Sequence, residues 1–267
     1  MRKKADVIKM KRVAIIGAGA MGGGIARGML ATASVPSAIV ISNPSQEKLS
    51  YFLDAGCCIY SSNIKAVSTD GVDLVFVCVK PWKVEEVLTE IAPSLKKGVT
   101  VGVVAAGVSG ERIAACLPEE VNSYIVMPNT GLNIGQSMTI LVDVRPSEES
   151  RRRISNVLWK LGQVMTLDES RLPAATAIAS CGIAYLMRYA RAAEQAGVQM
   201  GLRPAEARRL AAAALRAAGG LLDFPDAHPE TEIDKVTTPG GLTIRGLNTL
   251  DEQGFSNAVI KALLASR

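Results

Sequence analysis

The chain has 267 residues, of which 48% are hydrophobic, 21% charged and only 4% aromatic. This composition allows one large or two modest globular domains, and it excludes disorder, collagen and a coiled coil as the main architecture. The formal net charge of +5 suits an anionic ligand. No apolar run approaches the length that spans a membrane, so no membrane association is expected.

The basic residues are spread along the chain, with one dense run at Arg151, Arg152 and Arg153. No aromatic residues interleave with this run, and it opens a helix-like segment. We therefore expect a solvated helix face, and we expect no nucleic-acid partner.

The cysteines are Cys57, Cys58, Cys78, Cys116 and Cys181. They form no CxxC pair and no zinc spacing, and their odd number argues against a disulfide framework. The sequence therefore predicts no metal site and favours the reducing cytoplasm as the location of the protein.

Short, continuously apolar runs alternate with helical patterns through the first part of the chain. Runs at 13–16, 39–41, 74–79, 99–104 and 123–126 predict buried parallel strands, with helices from about Gly22, Glu47, Val84 and Glu111 between them. A shorter pair, 138–142 and 163–167, flanks a helix that starts near Pro146. This βαβ rhythm predicts an α/β class with a doubly wound, Rossmann-like domain over residues 1–167.

After Asp168 the strand patterns stop and alanine dominates. The pattern predicts long helices over 173–198 and 204–222, a loop over 223–231, and a final helix pair over 241–250 and 254–265. A lone hairpin of Ala and Leu buries too little surface to be stable by itself, so its apolar face is expected to meet another subunit or the first domain. Residues 168–267 are thus predicted to form an all-helical domain.

A GxGxxG motif, formed by Gly17, Gly19 and Gly22, follows the first predicted strand and opens a helix. In this setting the first glycine permits a tight turn, the second lets the backbone approach a pyrophosphate, and the third allows close helix contact. The motif predicts a dinucleotide site at the N-terminus of the helix.

The end of the second strand reads Ile41-Ser42-Asn43-Pro44-Ser45, with no acidic residue. An acid at this point binds the ribose 2′-hydroxyl of NAD but repels the 2′-phosphate of NADP. Ser42, Asn43 and Ser45 can donate to a phosphate, so the sequence favours NADPH, with NADH also possible. Asn43-Pro44 is at the same time a typical turn.

Few side chains are available for proton transfer on a substrate. The only histidine, His228, is in a proline-flanked loop and is expected to be an exposed surface residue, and no lysine occurs between Lys160 and Lys235. Reduction of an imine needs no such base, because the C=N nitrogen can arrive already protonated. Residues 236–243 (VTTPGGLT) form a Thr/Gly turn that opens a helix, which suits a carboxylate but is also typical of an N-cap.

At this turn the sequence resembles pyrroline-5-carboxylate reductase, whose signature is similar to VTSPGGTT followed by an apolar helix. The likeness runs over nearly the whole chain. It includes IGAGAMGGGIARGML at the glycine loop, Asn63, the Val79-Lys80-Pro81 segment, Ala105-Ala106-Gly107, and the MPNT element from Met127 to Thr130.

The resemblance implies a Rossmann domain followed by a helical dimerisation domain, with substrate at the dimer interface of a homodimer or higher homo-oligomer. It implies a reductase that forms L-proline from the cyclic imine 1-pyrroline-5-carboxylate. The nucleotide is expected at Gly17, Gly19, Ala20, Met21, Gly22, Ser42, Asn43 and Asn63, and the nicotinamide by Val79, Lys80, Pro81, Ala105 and Ala106. Substrate is expected at Met127, Asn129, Thr238, Gly240, Gly241 and Thr243, with Thr243 and Thr238 as catalytic hydroxyls.

Several positions depart from the family pattern, namely Ile125, Gly131, Cys181, Ile183 and Leu242. Two alternatives follow from these departures. The first is that the substrate is a substituted or six-membered cyclic imine carboxylate. The second is that the chain is a non-catalytic, nucleotide-binding regulatory paralogue.

Overall fold

The computed structural model describes residues 12–32 and 38–267. Within them the chain divides into two compact units, the first ending at Thr176 and the second running from Ala177 to Arg267.

The first unit is built on one eight-stranded sheet in the order β3-β2-β1-β4-β5-β6-β7-β8. All neighbouring strands pair in parallel except β6 and β7, which are antiparallel. Strand order reverses between β1 and β4, which is the topological switch point where doubly wound sheets bind ligands. The strands are β1 Arg12–Ile16, β2 Ile39–Ser42, β3 Cys58–Tyr60, β4 Val72–Val77, β5 Thr100–Val103, β6 Asn122–Met127, β7 Ser137–Arg145 and β8 Gly162–Thr166.

Seven helices accompany the sheet in the described part of this unit: α1 Ala20–Ala31, α2 Ser50–Asp54, α3 Asn63–Val67, α4 Val84–Ile91, α5 Gly110–Ala115, α6 Glu148–Leu158 and α7 Leu172–Thr176. Buried apolar residues form one cluster on each face of the sheet. Because both faces are covered, the parallel strands are apolar without alternation, as the sequence predicted.

The second unit is entirely helical, with α8 Gly182–Gln199, α9 Pro204–Leu222, α10 Pro229–Val236, α11 Leu242–Glu252 and α12 Phe255–Leu264. A π-helical turn at Ala177–Cys181 leads into α8. The helices α8 and α9 pack closely, since a Cβ atom built on Gly197 would lie 2.7 Å from the Cβ of Ala207. Of this fully described unit only Ala177, Gly197 and Ala207 are buried.

The structure confirms the α/β class and corrects several predicted elements. The strand β3 and the helix α3 were not predicted, because each is short and β3 is half-buried along its length. The predicted loop over 223–231 is wrong at its end, since α10 begins at Pro229. Proline is favourable in the first turn of a helix because of its fixed φ. Predicted helix 173–198 is interrupted by the π-helical turn.

The basic run at the start of α6 is also corrected. Arg151 and Arg152 lie at the surface and pair with Asp143 and Glu148. Arg153, in contrast, is 8% exposed, and its guanidinium donates to the carbonyl oxygen of Gly98 and the hydroxyl of Thr100, both at 3.0 Å. Only part of the run is therefore a solvated face.

None of the helices in the two described stretches is long and apolar enough to cross a membrane. The cysteines form no disulfide within the same stretches, which contain all five of them.

We predict that Arg153→Ala lowers the free energy of unfolding by about 3 kcal/mol, because the buried Thr100 hydroxyl loses its donor and the half-buried Asp73 carboxylate loses its ion pair. Arg152→Ala is the matched control one position away, and its exposed pair with Glu148 is expected to contribute at most about 0.5 kcal/mol. Urea unfolding measures both variants. Equal effects would show that Arg153 does not join α6 to the sheet.

Candidate active site

The loop between β1 and α1 is held by backbone contacts that only glycine permits. Gly17 has φ +94°, and its N–H donates to the carbonyl of Ser42 at 2.8 Å. A Cβ atom on Gly17 would lie 2.6 Å from the carbonyl oxygen of Cys78, which follows β4. The loop therefore lies directly at the switch point between β1 and β4.

The other two glycines of the motif have opposite surroundings. A Cβ atom on Gly22 would lie 1.9 Å from the carbonyl oxygen of Gly17, so α1 packs against its own loop. A Cβ atom on Gly19 would meet nothing within 4 Å. Gly22 is thus required for packing, while Gly19 leaves open space beside the backbone.

The N-terminus of α1 is suited to a nucleotide diphosphate. Within the described residues no side chain caps it, and its first turn contains no acidic residue. An uncapped helix N-terminus presents N–H donors and a partial positive charge to an anion. Together with the open side of Gly19, this observation fits the pyrophosphate that the motif predicts.

The side chains at the end of β2 bind the protein itself. Asn43 accepts a hydrogen bond from the N–H of Ala18 at 3.1 Å and donates to the carbonyl of Ser45 at 2.9 Å, so it fixes the glycine loop. Ser42 is fully buried, and its hydroxyl donates to the Oδ1 atom of Asn63 at 2.6 Å. Of these three predicted nucleotide ligands, Asn63 is the least buried.

An acidic residue that the sequence analysis missed lies beside Asn63. The Nδ2 atom of Asn63 donates to the Oε2 atom of Glu90 at 2.8 Å. Glu90 is exposed near the end of α4, 27 positions further along the chain. No local pattern signals this contact, because it depends on how α3 packs against α4.

The loops after β4 and β5 are adjacent at the same edge of the sheet. Val79 is half-buried and Lys80 is exposed, and Pro81 begins a short 3-10 turn. Ala105 is buried while Ala106 is exposed. Burial raises the pKa of the Cys78 thiol, so this cysteine is neutral and adds no charge beside the glycine loop.

The loop after β6 contains two predicted substrate residues. Met127 is half-buried at the end of the strand. Asn129 is 6% exposed, and its side-chain oxygen accepts from the N–H of Gly131 at 2.9 Å. Asn129 thus caps the 3-10 turn that follows, in addition to any role toward a ligand.

The Thr/Gly turn of the second unit opens α11. Thr238 and Thr243 are exposed, and the N–H of Gly241 donates to the carbonyl of Thr238 at 2.9 Å. Within the described residues no side chain caps α11, and Arg245 donates to the carbonyl of Gly240 at 3.2 Å. The turn therefore combines hydroxyl groups, an open helix N-terminus and a nearby cation, which suits a carboxylate.

The positions that depart from the family pattern have different environments. Ile125 is fully buried in the apolar core of the sheet. Cys181 ends the π-helical turn, and Ile183 lies in the first turn of α8. Leu242, in contrast, is 84% exposed at the first position of α11.

His228 is exposed, as expected, and its Nδ1 atom accepts from the N–H of Glu230 at 3.3 Å. It therefore caps the start of α10.

Comparison with known proteins agrees with this architecture. Residues 169–267 match the family model for pyrroline-5-carboxylate reductase dimerisation, and residues 12–115 match that for NADP oxidoreductase, coenzyme F420-dependent. Pyrroline-5-carboxylate reductase 2 of Dictyostelium discoideum is 33% identical, and the match covers 98% of this chain and 92% of that protein. The chain belongs to the pyrroline-5-carboxylate reductase family.

Two further similar proteins differ in how much of their own length the match covers. Pyrroline-5-carboxylate reductase 1 of Dictyostelium discoideum is 36% identical over 95% of this chain, which spans about half, 48%, of that protein's length. A crystal structure of Plasmodium falciparum pyrroline carboxylate reductase with NADP bound is 22% identical. It covers 96% of this chain and 95% of its own with a TM-score of 0.84, which shows the shared fold.

We predict that Gly19→Ala weakens cofactor binding about tenfold or more without loss of stability, because its methyl group meets no protein atom within 4 Å but enters the space that the motif predicts for the pyrophosphate. Gly22→Ala is the contrasting variant. Its methyl group meets the carbonyl of Gly17, so we expect the free energy of unfolding to fall by about 1–3 kcal/mol. Fluorescence titration with NADPH and urea unfolding measure the two effects. Unchanged binding by Gly19→Ala would show that the pyrophosphate binds elsewhere.

Proposed function

We propose that this protein reduces the cyclic imine 1-pyrroline-5-carboxylate to L-proline with NADPH. The observation that carries the proposal is the family likeness over almost the whole chain. It includes both the Rossmann loop and the Thr/Gly turn, which is suited to a carboxylate. The proposal includes the boundary predicted after residue 167, with the cofactor on residues 1–167 and the dimerisation and substrate elements on residues 168–267.

In this proposal, a reduced nicotinamide supplies the hydride for the imine carbon when it is bound. The chain's own residues bind and orient the two reactants. Gly17, Gly19, Ala20, Met21 and Gly22 hold the pyrophosphate. Ser42 and Asn43 act indirectly, since their bonds fix Asn63 and the glycine loop. The nicotinamide lies by Val79, Lys80, Pro81, Ala105 and Ala106.

The substrate carboxylate is assigned to the turn from Thr238 to Thr243. The Gly240 N–H and the Thr238 hydroxyl donate to its oxygens. Gly241, whose N–H closes the turn on the Thr238 carbonyl, lets the carboxylate approach the backbone. The Thr243 hydroxyl contacts the ring nitrogen, which becomes the amine of proline as the C=N bond is reduced. Met127 and Asn129 border the ring. No titrating base is required, because a protonated imine already carries the proton that the product amine retains.

NADPH is the proposed cofactor, and NADH is a weaker one. Support comes from the absence of an acidic residue at the end of β2 and from the match of residues 12–115 to an NADP oxidoreductase family model. The relative with the same fold whose crystal structure contains NADP adds to this support.

We also propose that two or more copies associate through the second unit. Large apolar side chains of its helices are exposed in the single chain, among them Ile178, Leu186, Met187 and Leu210. An exposed apolar surface of this kind is typical of a protein interface. The match of residues 169–267 to a dimerisation family model supports a homo-oligomer. The cytoplasm stays our prediction for the location of the protein.

We predict that Thr243→Ala lowers kcat/KM for 1-pyrroline-5-carboxylate about 100-fold, because the hydroxyl in contact with the reacting imine nitrogen is lost. The affinity for NADPH is expected to stay within about twofold, since Thr243 lies outside the Rossmann loops. Steady-state kinetics and fluorescence titration measure the two quantities.

Thr243→Ser is the matched control, because it keeps the hydroxyl and removes only the methyl group. It should recover most of the lost kcat/KM. A loss of NADPH affinity in Thr243→Ala, or no recovery in Thr243→Ser, would contradict the assigned hydroxyl role.

The alternative substrate, a related cyclic imine, is suggested by the exposed Leu242, which replaces a family threonine at the turn. Steady-state assays with 1-pyrroline-5-carboxylate, its six-membered analogue and a methylated ring separate the alternatives. We expect the highest kcat/KM for 1-pyrroline-5-carboxylate. A higher kcat/KM for an analogue would show that the analogue, and not 1-pyrroline-5-carboxylate, is the preferred substrate. NADPH binding without turnover of any imine would show that the chain is a regulatory paralogue and not an enzyme.

A further inference from the structure

Three polar side chains form a short relay from the end of β2 to α4. The buried hydroxyl of Ser42 donates to Oδ1 of Asn63, and Nδ2 of Asn63 donates to the carboxylate of Glu90. Ser42 is 0% exposed, whereas Asn63 is half-buried and Glu90 is exposed. The relay therefore begins inside the protein and ends at its surface.

The carboxylate determines the direction of the relay. An ionised carboxylate accepts hydrogen bonds and donates none, so the NH₂ group of Asn63 must face Glu90. Its carbonyl oxygen then faces Ser42, whose hydroxyl has to donate. Because Ser42 is buried, the side chain left at the surface for a ligand is the Asn63 amide, which carries a second N–H.

The relay starts at the position that normally distinguishes the two cofactors. Dinucleotide-binding folds place the adenosine ribose at the end of the second strand, where an acidic residue accepts from the 2′-hydroxyl. Here that strand ends at Ser42 without an acid, and Glu90 lies two hydrogen bonds away. An acidic group is thus present at this edge, although it comes from a different element.

We propose that Glu90 sets the cofactor selectivity of this enzyme, as a positioning residue for Asn63 and as the acidic group that β2 lacks. This inference rests on the proposed function only in taking NADPH and NADH as the competing ligands. The negative charge of Glu90 opposes the 2′-phosphate and so restrains the preference for NADPH. Its hydrogen bond to Asn63 keeps the amide in an orientation that serves both cofactors.

The two roles of Glu90 can be separated by substitution. Glu90→Gln removes the charge but keeps a carbonyl oxygen that can accept from Asn63. We expect the ratio of Kd for NAD⁺ to Kd for NADP⁺ to rise about tenfold, because the negative charge that opposes the 2′-phosphate is removed. The change should shrink in high salt, since the charge is exposed and therefore screened. Glu90→Ala also loses the acceptor, and it should weaken NAD⁺ relative to Glu90→Gln.

The control is Glu86→Gln, an exposed acid on the same helix, one turn before Glu90. It makes the same change in net charge, but within the described residues no hydrogen bond joins it to Asn63, so its ratio should stay within about twofold of wild type. Calorimetric titration of the full chain with NADP⁺ and NAD⁺ measures all ratios without imine or turnover. Urea unfolding of each variant checks that it is folded.

The inference is overturned if Glu90→Gln leaves the ratio unchanged while wild type binds both nucleotides. It is equally overturned if Glu86→Gln shifts the ratio as much, because the effect would then be one of net charge. A wild-type chain that binds neither nucleotide would overturn the proposed function as well. Failure to turn over any imine would affect only the proposed function.

Discussion

The approach of α1 to its own loop and to β4 is the constraint on which the first unit depends. Gly17 and Gly22 have no room for a Cβ atom, so backbone meets backbone at the switch point of the sheet. The same close packing continues along α1, where a Cβ atom on Gly24 or Gly28 would overlap with Leu132 or Leu161. A glycine-rich helix has low intrinsic stability, and it persists here because packing fixes it.

This constraint explains why predicted nucleotide ligands turn out to bind the protein. A glycine-rich loop has few side chains that could hold its conformation, so residues outside the loop must do so. The side-chain oxygen of Asn43 does this by accepting a hydrogen bond from the N–H of Ala18. Ser42 fixes Asn63 in the same way. Backbone and side-chain donors that are fixed in advance lose less entropy on binding a ligand, so these contacts preorganise the loop.

The second unit, unlike the first, buries few of its residues. With three buried residues, it cannot gain enough from its own core to offset the conformational entropy of its helices. Its small residues allow α8 and α9 to approach at Gly197 and Ala207, and its larger ones, such as Met187 and Leu210, are left outside. The scarcity of aromatic residues in the chain fits this mode of packing, because close helix contact requires small side chains.

Sequence patterns predicted the features that depend on local periodicity, and they missed those that depend on tertiary packing. The apolar runs of β1, β4 and β5 are buried on both faces, so they were visible as continuous apolar segments. The strand β3 is short and half-buried and gave no such signal. Likewise Glu90 and Arg153 look like surface charges in the sequence, and only the packing of α4 and α6 brings them to Asn63 and to the sheet.

The positions that depart from the family pattern differ in burial and in their distance along the chain from the Thr/Gly turn. Ile125 is packed among apolar residues of the sheet, so this departure concerns the core. Cys181 is the last residue of a π-helical turn, a feature that is often found at functional sites, and Ile183 lies just after it in α8. Leu242, in contrast to these residues, is both exposed and part of the turn proposed for the carboxylate. It lowers the polarity of that turn and leaves the backbone N–H groups at the start of α11 uncapped by any side chain within the described residues.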